Sequence, residues 1–144
     1  MKIIILVGNC GSGKTSYIFN SGLLNTLSDP VIVDDLVCQE DMQQFMTALE
    51  DHRDIVLADP FLCIPKDFTN MMSRIPEKYE KIILYFENDL SACLDNCEKR
   101  RRETGKIVSP AFVRRLWTEY NPPESEPLIP VWKNVNTLDN EWCV

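Results

Sequence analysis

Residues 8–15, Gly8-Asn9-Cys10-Gly11-Ser12-Gly13-Lys14-Thr15, decide the fold of this 144-residue chain. The stretch matches the pattern G-x-x-x-x-G-K-[ST] at each of its fixed positions. An apolar run, residues 3–7, precedes it and is short enough to be a strand buried on both faces. Residues 14–24 follow it and can form a helix. A strand, a glycine-rich loop and a helix in this order are typical of a phosphate-binding loop.

The chemistry of this phosphate loop, residues 8–15, explains its spacing. Glycines permit backbone angles that let successive N–H groups converge on one anion. Lys14 is expected to reach the outer phosphates of a nucleoside triphosphate, and Thr15 to place its hydroxyl on Mg²⁺. We therefore expect ATP and Mg²⁺ as cofactors, while the Cys10 thiol is assigned no chemistry of its own. The residues expected to bind the nucleotide are Gly8, Cys10, Gly11, Ser12, Gly13, Lys14, Thr15 and Ser16.

Length and composition predict one globular domain over residues 1–144, with 44% hydrophobic and 26% charged residues. The apolar runs are too short to span a membrane, and the first strand leaves no room for a signal peptide, so we expect a cytoplasmic location. Six cysteines without a C-x-x-C pair, together with the single histidine His52, predict free thiols and argue against a zinc site or a hydrolase triad.

The charge of the chain is unevenly distributed. A net charge of −7 argues against indiscriminate binding of nucleic acid by the whole surface. Residues 99–115 nevertheless contain seven basic side chains and only one acid, Glu103. This local excess predicts a defined site for an anion.

Strands and helices alternate along the sequence. Apolar runs predict strands, and 3.6-residue periodicity, as in Met42, Phe45, Met46 and Leu49, predicts helices. Such alternation predicts an α/β fold, a parallel sheet of four to five strands with helices on both faces. The strands are expected at 2–7, 31–33, 54–59, 81–86 and 128–135, and the helices at 14–24, 39–51, 66–74, 89–103 and 110–120.

Three acids follow predicted strands, where ligands bind in parallel sheets. Asp59 is expected to hold Mg²⁺ together with Thr15; the alternative is a cap of the turn at Pro60. Asp34 and Asp35 are candidates for binding an acceptor and for the base that removes its proton. Adjacent residues of a strand point to opposite faces, so one of the pair should face the site; the alternative is two solvated turn acids.

Consecutive arginines end the helix that is predicted before Gly105. Arg100, Arg101 and Arg102 could close over the triphosphate as part of a lid, where one arginine is worth on the order of 10³-fold in rate. The alternative is a solvated helix C-terminus, where cations suit the dipole.

These features together resemble the small P-loop kinases related to bacteriophage polynucleotide 5′-kinase. The resemblance rests on the phosphate loop, the acids, the run C-E-K-R at 97–100 and V-S-P-A-F-V-R-R-L-W-T-E-Y-N-P-P at 108–123, and it covers residues 1–123. It implies a P-loop kinase fold with a helical lid at about 96–120, followed by a strand and tail at about 128–144. It also implies catalytic roles for Lys14, for Asp34 as the base and for Arg100 as the lid arginine, with Arg101 and Arg102 as register alternatives. Asp59 would support the acceptor or the metal.

The chain departs from that family at three places. Asn96 stands where the family has an arginine, Leu36-Val37-Cys38 contains no arginine after the acid pair, and the lid has extra residues around 102–105. The arginine that is missing after the acid pair would grip acceptor phosphates, whereas the kinase chemistry does not depend on it.

The sequence therefore predicts an ATP-dependent kinase for a hydroxyl acceptor, first of all a nucleic-acid 5′-hydroxyl or a hydroxyl of a nucleotide unit. One alternative is a kinase for a free nucleoside or nucleotide. The other is a nucleotide-binding switch with slow ATPase activity. A phage gene, expressed in the host cytoplasm, would fit the resemblance, and the oligomeric state stays open.

Overall fold

The sheet is built around the strand that leads into the phosphate loop. In the computed structural model, which describes residues 1–131, strand β1 (Lys2–Val7) lies at the centre of five parallel strands. The order across the sheet is β2-β3-β1-β4-β5, and Ile3 pairs with both Ile55 and Lys81. The other strands are β2 (Val31–Val33), β3 (Ile55–Leu57), β4 (Glu80–Phe86) and β5 (Leu128–Ile129).

Helices connect the strands, as the alternating pattern predicts. They are α1 (Lys14–Asn20), α2 (Gln39–Glu50), α3 (Pro65–Arg74), α4 (Leu90–Thr104) and α5 (Pro110–Glu119). Asp89 caps α4 by accepting a hydrogen bond from Ala92 N–H at 3.0 Å, and Gly105 ends it with a positive φ of 76°. Within residues 1–131, no helix is both long and apolar enough to cross a bilayer.

The two faces of β1 are covered by different helices. Ile3, Ile5 and Val7 pack in a cluster with side chains from α2, α3 and α5. Ile4 and Leu6 pack on the opposite face with Ile18 of α1. Every residue from Ile3 to Val7 is buried, as expected for a strand that is covered on both faces. The predicted α/β fold with helices on both faces is confirmed.

Several element boundaries differ from those predicted. α1 ends at Asn20, because Gly22 adopts φ 81° and begins a separate 3₁₀ helix over Leu23–Thr26. The predicted loop before α3 contains another 3₁₀ helix, Pro60–Cys63, which the sequence analysis missed. The fifth strand is short, Leu128–Ile129, and its predicted extension at 132–135 lies outside the described residues.

Candidate active site

An open cleft of about 500 Å³ lies at the carboxyl ends of β1, β2 and β3. Its walls come from the phosphate loop, the ends of β2 and β3, the end of α4 and the connection into α5. The structure thus brings together the predicted site residues Cys10, Gly11, Gly13, Lys14, Thr15, Asp34, Asp35, Asp59 and Arg100. The lining does not include the predicted residues Gly8, Ser12, Ser16, Arg101 and Arg102. The volume of the cleft is in the range that small-molecule sites usually have.

The conformation of the loop depends on glycine where it meets α4. Gly11 has φ 77°, and a Cβ atom built there would lie 2.5 Å from the carbonyl oxygen of Cys93 and 2.9 Å from Cys97 Sγ. Gly13 has φ 96° and begins α1 without a side-chain cap. Gly13, which the pattern requires, therefore permits the turn into α1, and Gly11, at a variable position of the pattern, permits the close approach of α4.

Lys14 is held at the floor of the cleft. Its ammonium donates hydrogen bonds to the carbonyl oxygens of Gly8 at 2.6 Å and Asn9 at 2.8 Å, and Ser12 Oγ lies 3.4 Å away. Only 8% of the residue is exposed, and burial lowers the pKa of its ammonium. Because an ammonium has three donors, the third has only the more distant hydroxyl as a partner and can serve a phosphate oxygen.

The two acids after β2 have different surroundings. Asp35 Oδ1 accepts hydrogen bonds from the N–H groups of Val37 at 3.1 Å and Cys38 at 3.2 Å, so this side chain shapes the turn into α2. Asp34 is exposed at the cleft, and its carboxylate has no hydrogen-bond partner among residues 1–131. Of the two carboxylates, that of Asp34 is therefore the one not engaged by the turn into α2.

Asp59 joins the ends of β2 and β3. Its Oδ2 accepts from Leu36 N–H at 2.6 Å and its Oδ1 from Phe61 N–H at 2.7 Å. The residue is 1% exposed, and burial raises the pKa of its carboxyl against the opposing effect of these two bonds. The capping role that the sequence offered as an alternative is therefore present. Each oxygen keeps a free lone pair, which could accept from a metal-bound water.

The three arginines of α4 are distinguished by Glu98. Arg101 and Arg102 pair with its carboxylate at 2.7 and 3.3 Å, and the hydrogen bond from Arg101 is the main reason why the pKa of Glu98 falls to about 2. Arg100 lines the cleft and has no carboxylate within 4 Å among residues 1–131. Of the three register alternatives, Arg100 is the one at the site.

Sequence reasoning missed four residues that shape the cleft. Asn9 donates from Nδ2 to the Val113 carbonyl oxygen, and Asn96 from Nδ2 to that of Gly11, both at 2.8 Å. Phe61 and Phe112 line the cleft as an aromatic pair, with ring centroids 5.1 Å apart. An asparagine at a variable loop position carries no sequence signal, and neither Phe61 nor Phe112 belongs to a motif that would mark it as part of the cleft.

These residues fit the expected cofactors. A loop of main-chain N–H groups with a buried ammonium suits a triphosphate. Thr15 and Asp59, the pair expected to hold Mg²⁺, both line the cleft and carry oxygen donors of the kind that Mg²⁺ prefers, whereas residues 1–131 contain no group of three or more acidic, histidine or cysteine side chains placed to hold a metal ion.

Comparisons with known proteins bear on the fold alone. No family model matches the chain, and no curated protein matches it. A gluconokinase from Sinorhizobium meliloti 1021 has a similar structure, with a TM-score of 0.54 and 12% identity over 90% of this chain and 82% of that one. This likeness shows a P-loop kinase fold and gives no support to the narrower resemblance to phage polynucleotide kinase. The chain therefore has the P-loop kinase fold.

Proposed function

We propose that this protein is an ATP-dependent kinase that phosphorylates a hydroxyl group of a small acceptor. The observation that carries the proposal is that one cleft is lined by Lys14 and Thr15 of the phosphate loop, by Asp34 after β2 and by Arg100 of α4. A phosphate-binding loop alone would suit any nucleotide-binding protein. An unpaired acid beside it is what a kinase requires and a nucleotide switch does not.

Each side chain has a task in phosphoryl transfer. Bound ATP would supply the γ-phosphoryl group, and Mg²⁺ would neutralise part of its charge. The loop N–H groups and Lys14 would hold the phosphates, and the Thr15 hydroxyl and the Asp59 carboxylate would hold the metal. Asp34 accepts the proton of the attacking hydroxyl, and Arg100 stabilises the charge that spreads over the transferred group.

The charges of the cleft favour a neutral acceptor. Its basic side chains are Lys14 of the phosphate loop, Arg100 of α4 and Lys106 of the segment between α4 and α5. The walls at the ends of β2 and β3 contribute acids and Phe61, which pairs with Phe112. An aromatic wall beside an acid suits a nucleoside, whose flat base can lie on the rings while a sugar hydroxyl meets Asp34.

One observation favours a second candidate, an acceptor that carries a phosphate, such as a nucleotide unit or a nucleic-acid 5′ end. A pocket of about 340 Å³ adjoins the cleft, shares Asp59 and Phe61 with it, and is also lined by Leu36 and Arg74. Arg74 has no carboxylate within 4 Å among residues 1–131. Its guanidinium could replace the arginine that is missing after the acid pair.

The test is transfer of labelled γ-phosphate to free nucleosides, to the same nucleosides with a 3′-phosphate, to a 5′-hydroxyl oligonucleotide and to water. Asp34→Asn should reduce transfer to the acceptor at least about 100-fold, since a general base contributes that much, with little change in the KM for ATP. Asp51→Asn is the matched control, because Asp51 is exposed and lies after α2, away from the cleft.

The pattern of labelling separates the candidates. Labelling of free nucleosides supports the first proposal. Labelling of the nucleoside 3′-phosphates or of the oligonucleotide by the wild type, but not by the Arg74→Gln variant, supports the second. Release to water alone, unchanged by Asp34→Asn, would contradict both and leave a nucleotide switch.

A further inference from the structure

Asn9 occupies a variable position of the phosphate loop, yet its surroundings are highly specific. The residue is 1% exposed. Its Nδ2 donates to the carbonyl oxygen of Val113 at 2.8 Å, and its Oδ1 accepts from the N–H of Cys10 at 2.7 Å. Its own carbonyl oxygen accepts from the Lys14 ammonium at 2.8 Å. One residue thus contacts α5 through its side chain and Lys14 through its main chain.

The partner of this amide belongs to a wall of the cleft. Val113 is fully buried in α5, and the preceding residues Ser109 and Phe112 line the cleft. A carbonyl oxygen has two lone pairs, so Val113 can accept the Asn9 amide in addition to a helical hydrogen bond. A buried hydrogen bond therefore links α5 directly to the phosphate loop, beside the apolar packing of Cys10 in the cluster that contains Val113.

The C-terminal end of α5 is attached to the sheet by hydrogen bonds that do not involve the phosphate loop. Asn88 donates from Nδ2 to the carbonyl oxygens of Trp117 at 3.0 Å and Tyr120 at 3.2 Å. The hydroxyl of Tyr120 donates to the carbonyl oxygens of Phe86 at 2.6 Å and Val7 at 3.1 Å. α5 is thus tied to the sheet at its C-terminal end and to the phosphate loop near its N-terminal end.

We propose that Asn9 is a positioning residue that couples the location of α5 to that of the Lys14 ammonium. Two hydrogen bonds of Asn9 form this connection: its side-chain amide contacts Val113 of α5, and its main-chain carbonyl oxygen contacts the Lys14 ammonium. Any shift of α5 across the cleft is thereby passed to the ammonium. The expected effect of Asn9 on turnover rests on the proposed kinase function, whereas the coupling between α5 and Lys14 does not.

The coupling is tested first on the free protein by amide hydrogen exchange. In Asn9→Ser the hydroxyl is too short to reach Val113, although it keeps an oxygen near the Cys10 N–H. Exchange should rise together, at least about tenfold, in residues 8–13 and in 111–116, since both lose one shared contact. The matched control is Asn88→Ser, which loosens the same helix from the strand β4 side and should leave residues 8–13 at wild-type rates.

A rise confined to one of the two segments in Asn9→Ser, or an identical pattern in Asn88→Ser, would overturn the coupling. Should Asn9→Ser fail to fold, Asn9→Asp gives the same test, because a carboxylate keeps the size and the acceptor oxygen but cannot donate to Val113.

Kinetics distinguish positioning from general loop stability. Asn9→Ser should lower kcat for label transfer about tenfold, since small misplacements of a group that acts on the transition state are costly, while the Kd for ATP changes less than about threefold. Asn88→Ser should change neither quantity by more than about threefold. An equal loss of affinity and turnover in Asn9→Ser would assign the residue a structural role only. If the wild type labels no acceptor, the proposed function fails, and hydrogen exchange still decides the coupling.

Discussion

At the residue scale, Arg100, Arg101 and Arg102 show how neighbours with the same chemistry acquire different surroundings. Glu98 lies three and four residues before Arg101 and Arg102, so these two pair with it along the helix surface. Arg100 is turned by about 100° from its neighbour, as in any α-helix, and lines the cleft.

We therefore expect Arg100→Gln to lower kcat about 10³-fold, because it removes the one arginine of this run that can meet the transferred phosphoryl group. Arg101→Gln and Arg102→Gln, which remove the same charge from the same helix, should stay within about threefold of the wild type. Steady-state kinetics of the three variants measure this. Equal losses in all three would mean that the charge of the helix end, and not one side chain, is what matters.

A second prediction concerns Asp59. Asp59→Asn should destabilise the fold by about 1–3 kcal/mol, since the N–H groups of Leu36 and Phe61 meet different carboxylate oxygens and asparagine replaces one of these oxygens by an NH₂ group that cannot accept. Urea unfolding of both proteins measures the difference.

The pH dependence of that difference has a definite sign. Burial raises the pKa of Asp59 in the folded chain, so the folded state binds this proton more tightly than the unfolded chain. The contribution of this proton binding to the free energy of unfolding is therefore fully present below the pKa that Asp59 has in the unfolded chain. It is lost as the pH rises through the pKa that Asp59 has in the folded chain. The stability advantage of the wild type over Asp59→Asn should shrink over that interval. An advantage that grows with pH would contradict the raised pKa.

The residues of the phosphate loop could be predicted from sequence because the pattern itself encodes a backbone shape and the two side chains Lys14 and Thr15. Asn9 could not, since its partner Val113 is 104 positions away and no local pattern connects them. The different surroundings of Asp34 and Asp35 could not be predicted either, because the hydrogen bonds that Asp35 Oδ1 accepts from Val37 and Cys38 depend on the form of the turn.

At the scale of elements, the contact between the phosphate loop and α4 should tolerate no side chain at position 11. Gly11→Ala meets both an unfavourable φ of 77° and the carbonyl oxygen of Cys93 at 2.5 Å. Gly105→Ala meets a similar φ of 76° but no atom within 4 Å, and so serves as the control.

Both variants should lose about 1–2 kcal/mol for the left-handed conformation. Gly11→Ala should lose about 1–3 kcal/mol more, because the helix must move away from the loop. Urea unfolding compares them. If the two variants lose equal stability, α4 does not press on the loop as described.

Most elements could be predicted from hydrophobic periodicity, but their ends and the short ones could not. The 3₁₀ helix Pro60–Cys63 has four residues, too few for a period, and Pro60 after a strand indicates a stop. The central position of β1 in the sheet could not be predicted either, since the sequence of an apolar strand does not indicate which strands it pairs with.

At the scale of the whole molecule, the distribution of charge bears on the acceptor. The net charge is −7, and the basic side chains that line the cleft lie on the loop and the α4–α5 side. An acceptor that meets the acids after β2 and β3 therefore has few cations to hold a chain of phosphates.

For a nucleoside acceptor, we expect kcat/KM to change less than about twofold between roughly 50 and 200 mM salt, because no acceptor phosphates are neutralised. Binding of an oligonucleotide by several phosphate contacts would instead weaken steeply over that range. Assays with both acceptors at constant ATP measure the two slopes. A steep slope together with efficient labelling of the oligonucleotide would replace the first proposed acceptor by the second.

The central position of β1 also sets an order of events during synthesis. Its residues leave the ribosome before either neighbouring strand, since Ile3 pairs with Ile55 and Lys81. At about 5–20 residues per second, the strand waits several seconds for its second neighbour, and longer for Tyr120, whose hydroxyl bridges β1 and β4. Nascent chains that stop before that tyrosine should therefore carry the complete phosphate loop and yet fail to retain ATP.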